Sequence, residues 1–146
     1  MSNSIWKIMS SVTAIIMAAI SLIAFFAIDA CPMIETAAGG SVPMKCHWAF
    51  TAESWIGLIG ITTGLLCATA KTMEGRRIAA LTTLVVAVIV IMILTPAGIG
   101  ICAHDDSSCH GPAYAIWALS AVGAILSIVL MAKADPTAAE KPKMTI

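Results

Sequence analysis

Sulfur and imidazole are unevenly spread along this chain of 146 residues. Four of its five cysteines, Cys31, Cys46, Cys102 and Cys109, fall in two polar segments, and two of them directly precede a histidine, as Cys46-His47 and Cys109-His110. Three chemistries suit that inventory. Paired cysteines form disulfides where the compartment is oxidising. Thiolate, thioether and imidazole bind soft or borderline metals such as Cu(I) and Zn(II), and Met33, Met44, His47, His104 and His110 supply such groups beside Asp105 and Asp106. Thiols also exchange with disulfides and pass electrons onward. The spacings discriminate among the three. Cys31 and Cys46 are separated by 14 residues and Cys102 and Cys109 by 6, so there is no Cys-x-x-Cys pair of the kind that activates a thiol for exchange. A standard zinc spacing and the Cys-x-x-Cys-His that attaches c-type haem are missing as well. Structural disulfides are therefore the leading reading. Copper, zinc or haem held by His47, His104, His110, Met33 and Met44 is one alternative. Thiol–disulfide exchange coupled to a membrane quinone is another, and it rests only on having four spans with a cysteine pair in each outer loop.

The elements that position these residues follow from composition. The chain is 60% hydrophobic and 11% charged, against roughly 25% charge in soluble domains. Eight basic and eight acidic residues cancel, which removes the electrostatic footprint of a nucleic-acid-binding protein. Apolar runs at about 8–28, 50–70, 78–97 and 113–132 are long enough to cross a hydrocarbon core of roughly 30 Å at 1.5 Å per residue. The third is rich in β-branched side chains, including Val85, Val86, Val88 and Ile89, yet in lipid only a helix satisfies its own backbone within one segment. The expected fold is all-α, an integral membrane four-helix bundle running up-down-up-down over residues 1–133. Residues 134–146, with Pro136 and Pro142, form an expected disordered tail.

Orientation follows from the positive-inside rule. Lys7, Lys71, Arg76, Arg77, Lys133, Lys141 and Lys143 fall on one side and Lys45 alone on the other. Both termini are expected in the cytoplasm, with outer loops at 29–49 and 98–112. Trp6 would then sit in the inner aromatic belt, and Trp48, Trp55, Tyr114 and Trp117 in the outer one. The first span is too long and too weakly flanked for a cleaved signal peptide. Ile28-Asp29-Ala30-Cys31 is a poor lipoprotein lipobox because of its Asp.

Counting the second span as the uncharged run Ser54 to Ala70, none of the four contains Asp, Glu, Lys, Arg or His, which argues against a self-sufficient ion pump or proton-coupled transporter. Thr62, Thr63, Thr82, Thr83, Ser120 and Ser127 are expected to bond back to their own helices. Gly60 and Gly64, with Gly57 one turn earlier, form a small-xxx-small seam that packs either within the chain or against a partner. Cys67 reads as a small packing residue, and Asp29, Glu35 and Glu53 as solvated loop charges.

The two outer loops share a layout in which a cysteine ends the outgoing helix and a Cys-His pair precedes the returning one, as in a duplicated helical hairpin. That favours bridges Cys31–Cys46 and Cys102–Cys109, each worth on the order of 3 kcal/mol. Four cysteines allow three connectivities, so bridges between the loops stay open. Cys31-Pro32-Met33, Met44-Lys45-Cys46-His47-Trp48 and the loop holding Cys102 and Cys109 together resemble a family of small bacterial and archaeal four-span membrane proteins defined only as a domain of unknown function. The resemblance runs to about Lys133. It implies a multi-pass protein of the cell membrane and a role beside a partner, since such proteins resemble accessory subunits of ABC-type permeases; in that family Trp48 is not a signature. With no nucleophile–base pair in view, the expected function is non-enzymatic. A disulfide-braced outer Cys/His cap would bind a partner membrane protein, a second copy of the chain or an external ligand.

Overall fold

The computed structural model describes residues 3–31, 33–37, 39–101 and 108–133. Four helices make the fold: α1 (Asn3–Ala27), α2 (Lys45–Thr69), α3 (Met73–Ile93) and α4 (His110–Lys133). Each is long and apolar enough to cross a membrane, so the chain is a multi-pass membrane protein of the expected all-α class. Consecutive helices pack against one another and α1 packs against α4, closing a ring. Trp6 of α1, Cys67 of α2, Ala80 of α3 and Leu130 of α4 share a cluster at one end. Ala27, Cys46, Leu94 and Cys109 belong to the cluster that reaches the other end. The helices therefore alternate in direction, and the first and last enter and leave at the same end. The expected tail lies outside the described residues.

The helix ends have local causes. Helix α2 starts at Lys45, ahead of the uncharged run that begins after Glu53. The side chain of Thr72 accepts the Gly75 N–H at 3.2 Å, and this cap opens α3 with Glu74 in its first turn, where the helix dipole favours negative charge. At its other end α3 stops at Ile93 instead of running to residue 97. Pro96 cannot continue the helical ladder, and the carbonyl of Ile93 takes the N–H groups of both Ile99 and Gly100, at 3.0 and 2.9 Å. Gly100 supplies the positive φ of 79° that this return requires.

The interior mixes small side chains with the buried Met17, Ile20, Phe50, Leu94, Ile116 and Leu130, while many other large apolar side chains face outward. Ile8, Ile15, Leu22, Phe26, Leu66, Ile78 and Ile125 are exposed, as expected where lipid is the solvent. Buried positions recur at three and four residues: Ser10, Thr13, Met17, Ile20, Ala24 and Ala27 on α1, and Ala113, Ile116, Ser120, Gly123, Ser127 and Leu130 on α4. The seam glycines are all buried on α2 and face α1. A Cβ at Gly57 would stand 2.6 Å from Ser21 Cβ, and one at Gly64 would stand 2.9 Å from the Ala14 Cα. The small-xxx-small pattern is therefore used within the chain, and Ser21 adds a hydroxyl bond to the Ser54 carbonyl at 2.8 Å along it.

The expected back-bonding holds for Thr62, Thr63, Thr82, Thr83 and Ser127, whose hydroxyls donate to carbonyls three or four residues earlier at 2.7 to 3.0 Å. Thr83 also lies 3.2 Å from the Thr63 hydroxyl, linking α3 to α2. Ser120 is the exception: its Oγ has no partner among the described residues.

Trp6 departs from its expected place. It is 3% exposed, with its indole N–H donated to the Cys67 carbonyl at 3.0 Å and the Arg76 guanidinium 5.1 Å above its ring. It satisfies a carbonyl near the end of α2 instead of standing in an aromatic belt.

The packing argument makes a graded prediction. Gly57→Ala and Gly64→Ala each meet backbone or Cβ atoms of α1, and each is expected to destabilise the protein by about 1–3 kcal/mol. Gly60→Ala meets the Met17 side chain, whose thioether can move, and should be the mildest of the three. Unfolding titrations in detergent measure the order, and equal losses at all three positions would show that Met17 cannot yield.

Candidate functional site

The thiol-bearing end of the fold begins where α1 gives way to a 3-10 turn at Ile28–Ala30. Cys31 closes that turn: its N–H donates to the Ile28 carbonyl at 3.3 Å and its Sγ lies 3.6 Å from the Ala27 carbonyl. A short antiparallel hairpin follows, β1 (Met33–Glu35) with β2 (Ser41–Pro43), in the register Met33 with Pro43, Ile34 with Val42 and Glu35 with Ser41. Thr36 fixes its turn. Its N–H and its hydroxyl both donate to the Gly40 carbonyl at 2.7 Å, and Gly39 adopts a φ of 81°. Neither strand is legible in the sequence. The runs are three residues each, too short for a period of two to stand out.

Cys46 lies in the first turn of α2, and Cys109 immediately precedes α4. Cys31, Cys46 and Cys109 are all buried and belong to one core cluster, with Met44 packed against it. Cysteines from both hairpins thus gather in the same end of the fold. No disulfide joins Cys31, Cys46, Cys67 or Cys109 to another of the described residues. Cys102, His104, Asp105 and Asp106 lie outside the described residues. Cys67 is buried at the opposite end against Trp6, Ala80 and Leu130, the packing position expected of it.

His47, His110 and Met33 are less buried than the cysteines. His47 is half-buried, its ring 5.6 Å from Trp48 in an edge-to-face pair. His110 is half-buried 6.0 Å from Tyr114, which in turn meets Trp117 at 5.7 Å. Of the four aromatics expected in the outer belt, Trp48, Trp55 and Tyr114 are exposed, whereas Trp117 is half-buried with its indole N–H in the interior. Met33 is exposed on the hairpin. Among the described residues, no three His, Cys, Asp or Glu side chains are grouped so as to hold a metal ion.

Glu53 is the residue the sequence reasoning misjudged. It is fully buried, not a solvated loop charge, and neither carboxylate oxygen has a hydrogen-bond partner among the described residues. The misjudgement has a geometric origin. With α2 beginning at Lys45, Glu53 lies two turns inside the helix on the stripe that buries Cys46, Ala49, Phe50 and Gly57. Trp117 Nε1 and Ser120 Oγ are likewise buried without partners among the described residues. The contacts of Gly57 with Ser21 and of Gly123 with Met17 set the helices' relative depth. Counted outward from them, Glu53 and Trp117 reach about the same level, with Ser120 about one turn deeper. An acceptor, a donor and a hydroxyl thus lie buried deeper in the helices than the cysteines, without partners among the described residues. The periodicity of 3.5 residues, Cys46 to Glu53 to Gly60, was the available signal.

A buried polar group without a partner destabilises a fold by about 1–3 kcal/mol in mutational series. Glu53→Leu removes the polar atoms at small change in volume and is expected to raise stability by that order in detergent melts. A loss of stability would show instead that a partner holds the carboxyl group in the intact protein.

Comparison with known proteins places the chain without assigning it an activity. No curated protein and no solved structure matches it. A family model does match, over residues 7–134, a stretch that contains α2, α3 and α4, all of α1 but its first four residues, the hairpin and every cysteine. The chain therefore belongs to the family described as a domain of unknown function, DUF4418.

Proposed function

We propose that this protein is a non-enzymatic accessory protein of a bacterial or archaeal cell membrane, whose thiol-bearing end faces away from the cytoplasm and docks on a partner membrane protein, a transporter. The seven-to-one excess of Lys and Arg on the opposite side supports the orientation. On this orientation the cysteines of both hairpins lie in the oxidising compartment, where bridges Cys31–Cys46 and Cys102–Cys109 would brace the cap. Burial of Cys31, Cys46 and Cys109 fits bracing better than thiol exchange, which needs an accessible thiolate.

The observation that carries the docking reading is the β-hairpin. Met33, Ile34 and Val42 are 59, 50 and 50% exposed, and they belong to the segment between α1 and α2, outside the helices of membrane-crossing length. Apolar groups there face water unless a protein covers them. Trp48 and Trp55, exposed on the first turns of α2, continue the apolar surface toward the bilayer.

Two measurements test the proposal. A photo-crosslinking side chain at Val42 in native membranes is expected to yield one adduct with a multi-pass membrane protein, and the same probe at lipid-facing Leu66 should not. Adducts only to lipid, or only to a second copy of this chain, would overturn the accessory role. Peptide mapping without reductant is expected to recover the two bridges with Cys67 as a thiol; alkylation of all five cysteines would remove the braced cap.

A further inference from the structure

We propose that the cleft at the end opposite the cysteines binds the phosphodiester headgroup of an anionic phospholipid. The cleft has a volume of about 610 Å³ and is walled by Lys7 and Ser11 of α1, Thr69 and Ala70 at the end of α2, Lys71 in the following turn and Arg76 of α3. Among the described residues that line it, three are cations, two carry hydroxyl groups, of which Thr69 donates its own to the Leu65 carbonyl at 3.0 Å, and none is a carboxylate. That is the donor set for a phosphate oxyanion.

One of the cations is held in place. Cys67 fixes the Trp6 indole through the 3.0 Å bond to its carbonyl, Trp6 carries the Arg76 guanidinium over its ring at 5.1 Å, and Arg76 Nε donates to the Ala70 carbonyl at 2.9 Å. The side chain is thereby ordered before any ligand arrives, which lowers the entropy lost on binding. Lys7 and Lys71 are exposed at the rim, long enough to close on an anion from two sides.

Position selects a lipid as the source of the phosphate. The cleft opens where α1, α2 and α3, each of membrane-crossing length, emerge from the apolar region, which is the depth of the headgroups. Exposed Ile8, Leu65 and Leu66 stand on the same helices toward the bilayer centre, where acyl chains would lie against them. Basic pockets between transmembrane helices bind anionic headgroups on these grounds.

The full-length protein in detergent, followed by native mass spectrometry, supplies the test. Phosphatidylglycerol is expected to remain bound at one molecule per chain, whereas phosphatidylcholine with the same acyl chains is lost. Lys7→Gln with Lys71→Gln removes two exposed charges without touching the core, and should weaken phosphatidylglycerol retention roughly 30-fold with an unchanged thermal melt. Equal retention of both lipids, or unchanged affinity in the double variant, overturns the site. Displacement of the lipid by millimolar inorganic phosphate would overturn the lipid assignment in favour of a soluble phosphate.

Discussion

A bilayer offers no hydrophobic force between apolar helices, because lipid tails are as apolar as the side chains they would replace. Association must come from close van der Waals contact and polar bonds. Gly57, Gly60 and Gly64 let α2 approach α1 until the Ser21 and Ala14 main chains fill the space where Cβ atoms would be. Everything else in the fold accommodates that approach. Many large side chains turn to lipid, and among the buried Met17, Ile20, Phe50, Ile116 and Leu130 the interior lines up Ser10, Thr13, Ala80, Thr83, Ala87, Ser120 and Gly123, residues small enough for close helix approach. Most hydroxyl groups there bond within their own helix, as Thr63 and Ser127 do, while Ser21 bonds across to the Ser54 carbonyl and Ser120 has no partner among the described residues.

With the middle so plain, chemistry is displaced to the two ends, and the ends differ. At one, Trp6, Arg76 and the last carbonyls of α2 interlock, satisfying the backbone groups that a helix end leaves open. At the other, the chain returns through a hairpin and a glycine-assisted turn, and Cys31, Cys46 and Cys109 become buried together. The same cysteines are distant in sequence. Only the closing of the ring by α1 and α4 brings residues of the first and second hairpins into one cluster.

The sequence makes the four helices, their alternation and the internal use of hydroxyl groups legible, because long uncharged runs admit one backbone solution in lipid. It also singles out the cysteines of the thiol-bearing end. It does not make visible that Trp6 faces inward, since Trp at an interface and Trp capping a neighbouring helix have the same sequence signature. The hairpin between Cys31 and Met44 is likewise hidden, for it is held by Thr36 and by the positive φ of Gly39 rather than by any alternation of side chains. The helix start at Lys45 is hidden for a related reason. Met44 offers no side-chain cap, so nothing in the residue types marks the boundary.

That last boundary matters most for function. Spans delimited by charged residues are free of charge by construction, so the lack of ionisable groups within them carries less weight than it first has. Once hydrogen bonding sets the limits of α2, Glu53 belongs to the interior, two turns below Cys46 and on the same buried stripe. Ionisable groups inside a bilayer face the helix interior or a polar partner and are retained for function more often than for packing. Glu53 meets the first condition and, among the described residues, lacks the second. The absence of charge from Ser54 to Ala70 therefore does not speak for the whole of α2, whose first third buries a carboxyl group at about the level of the Trp117 indole N–H.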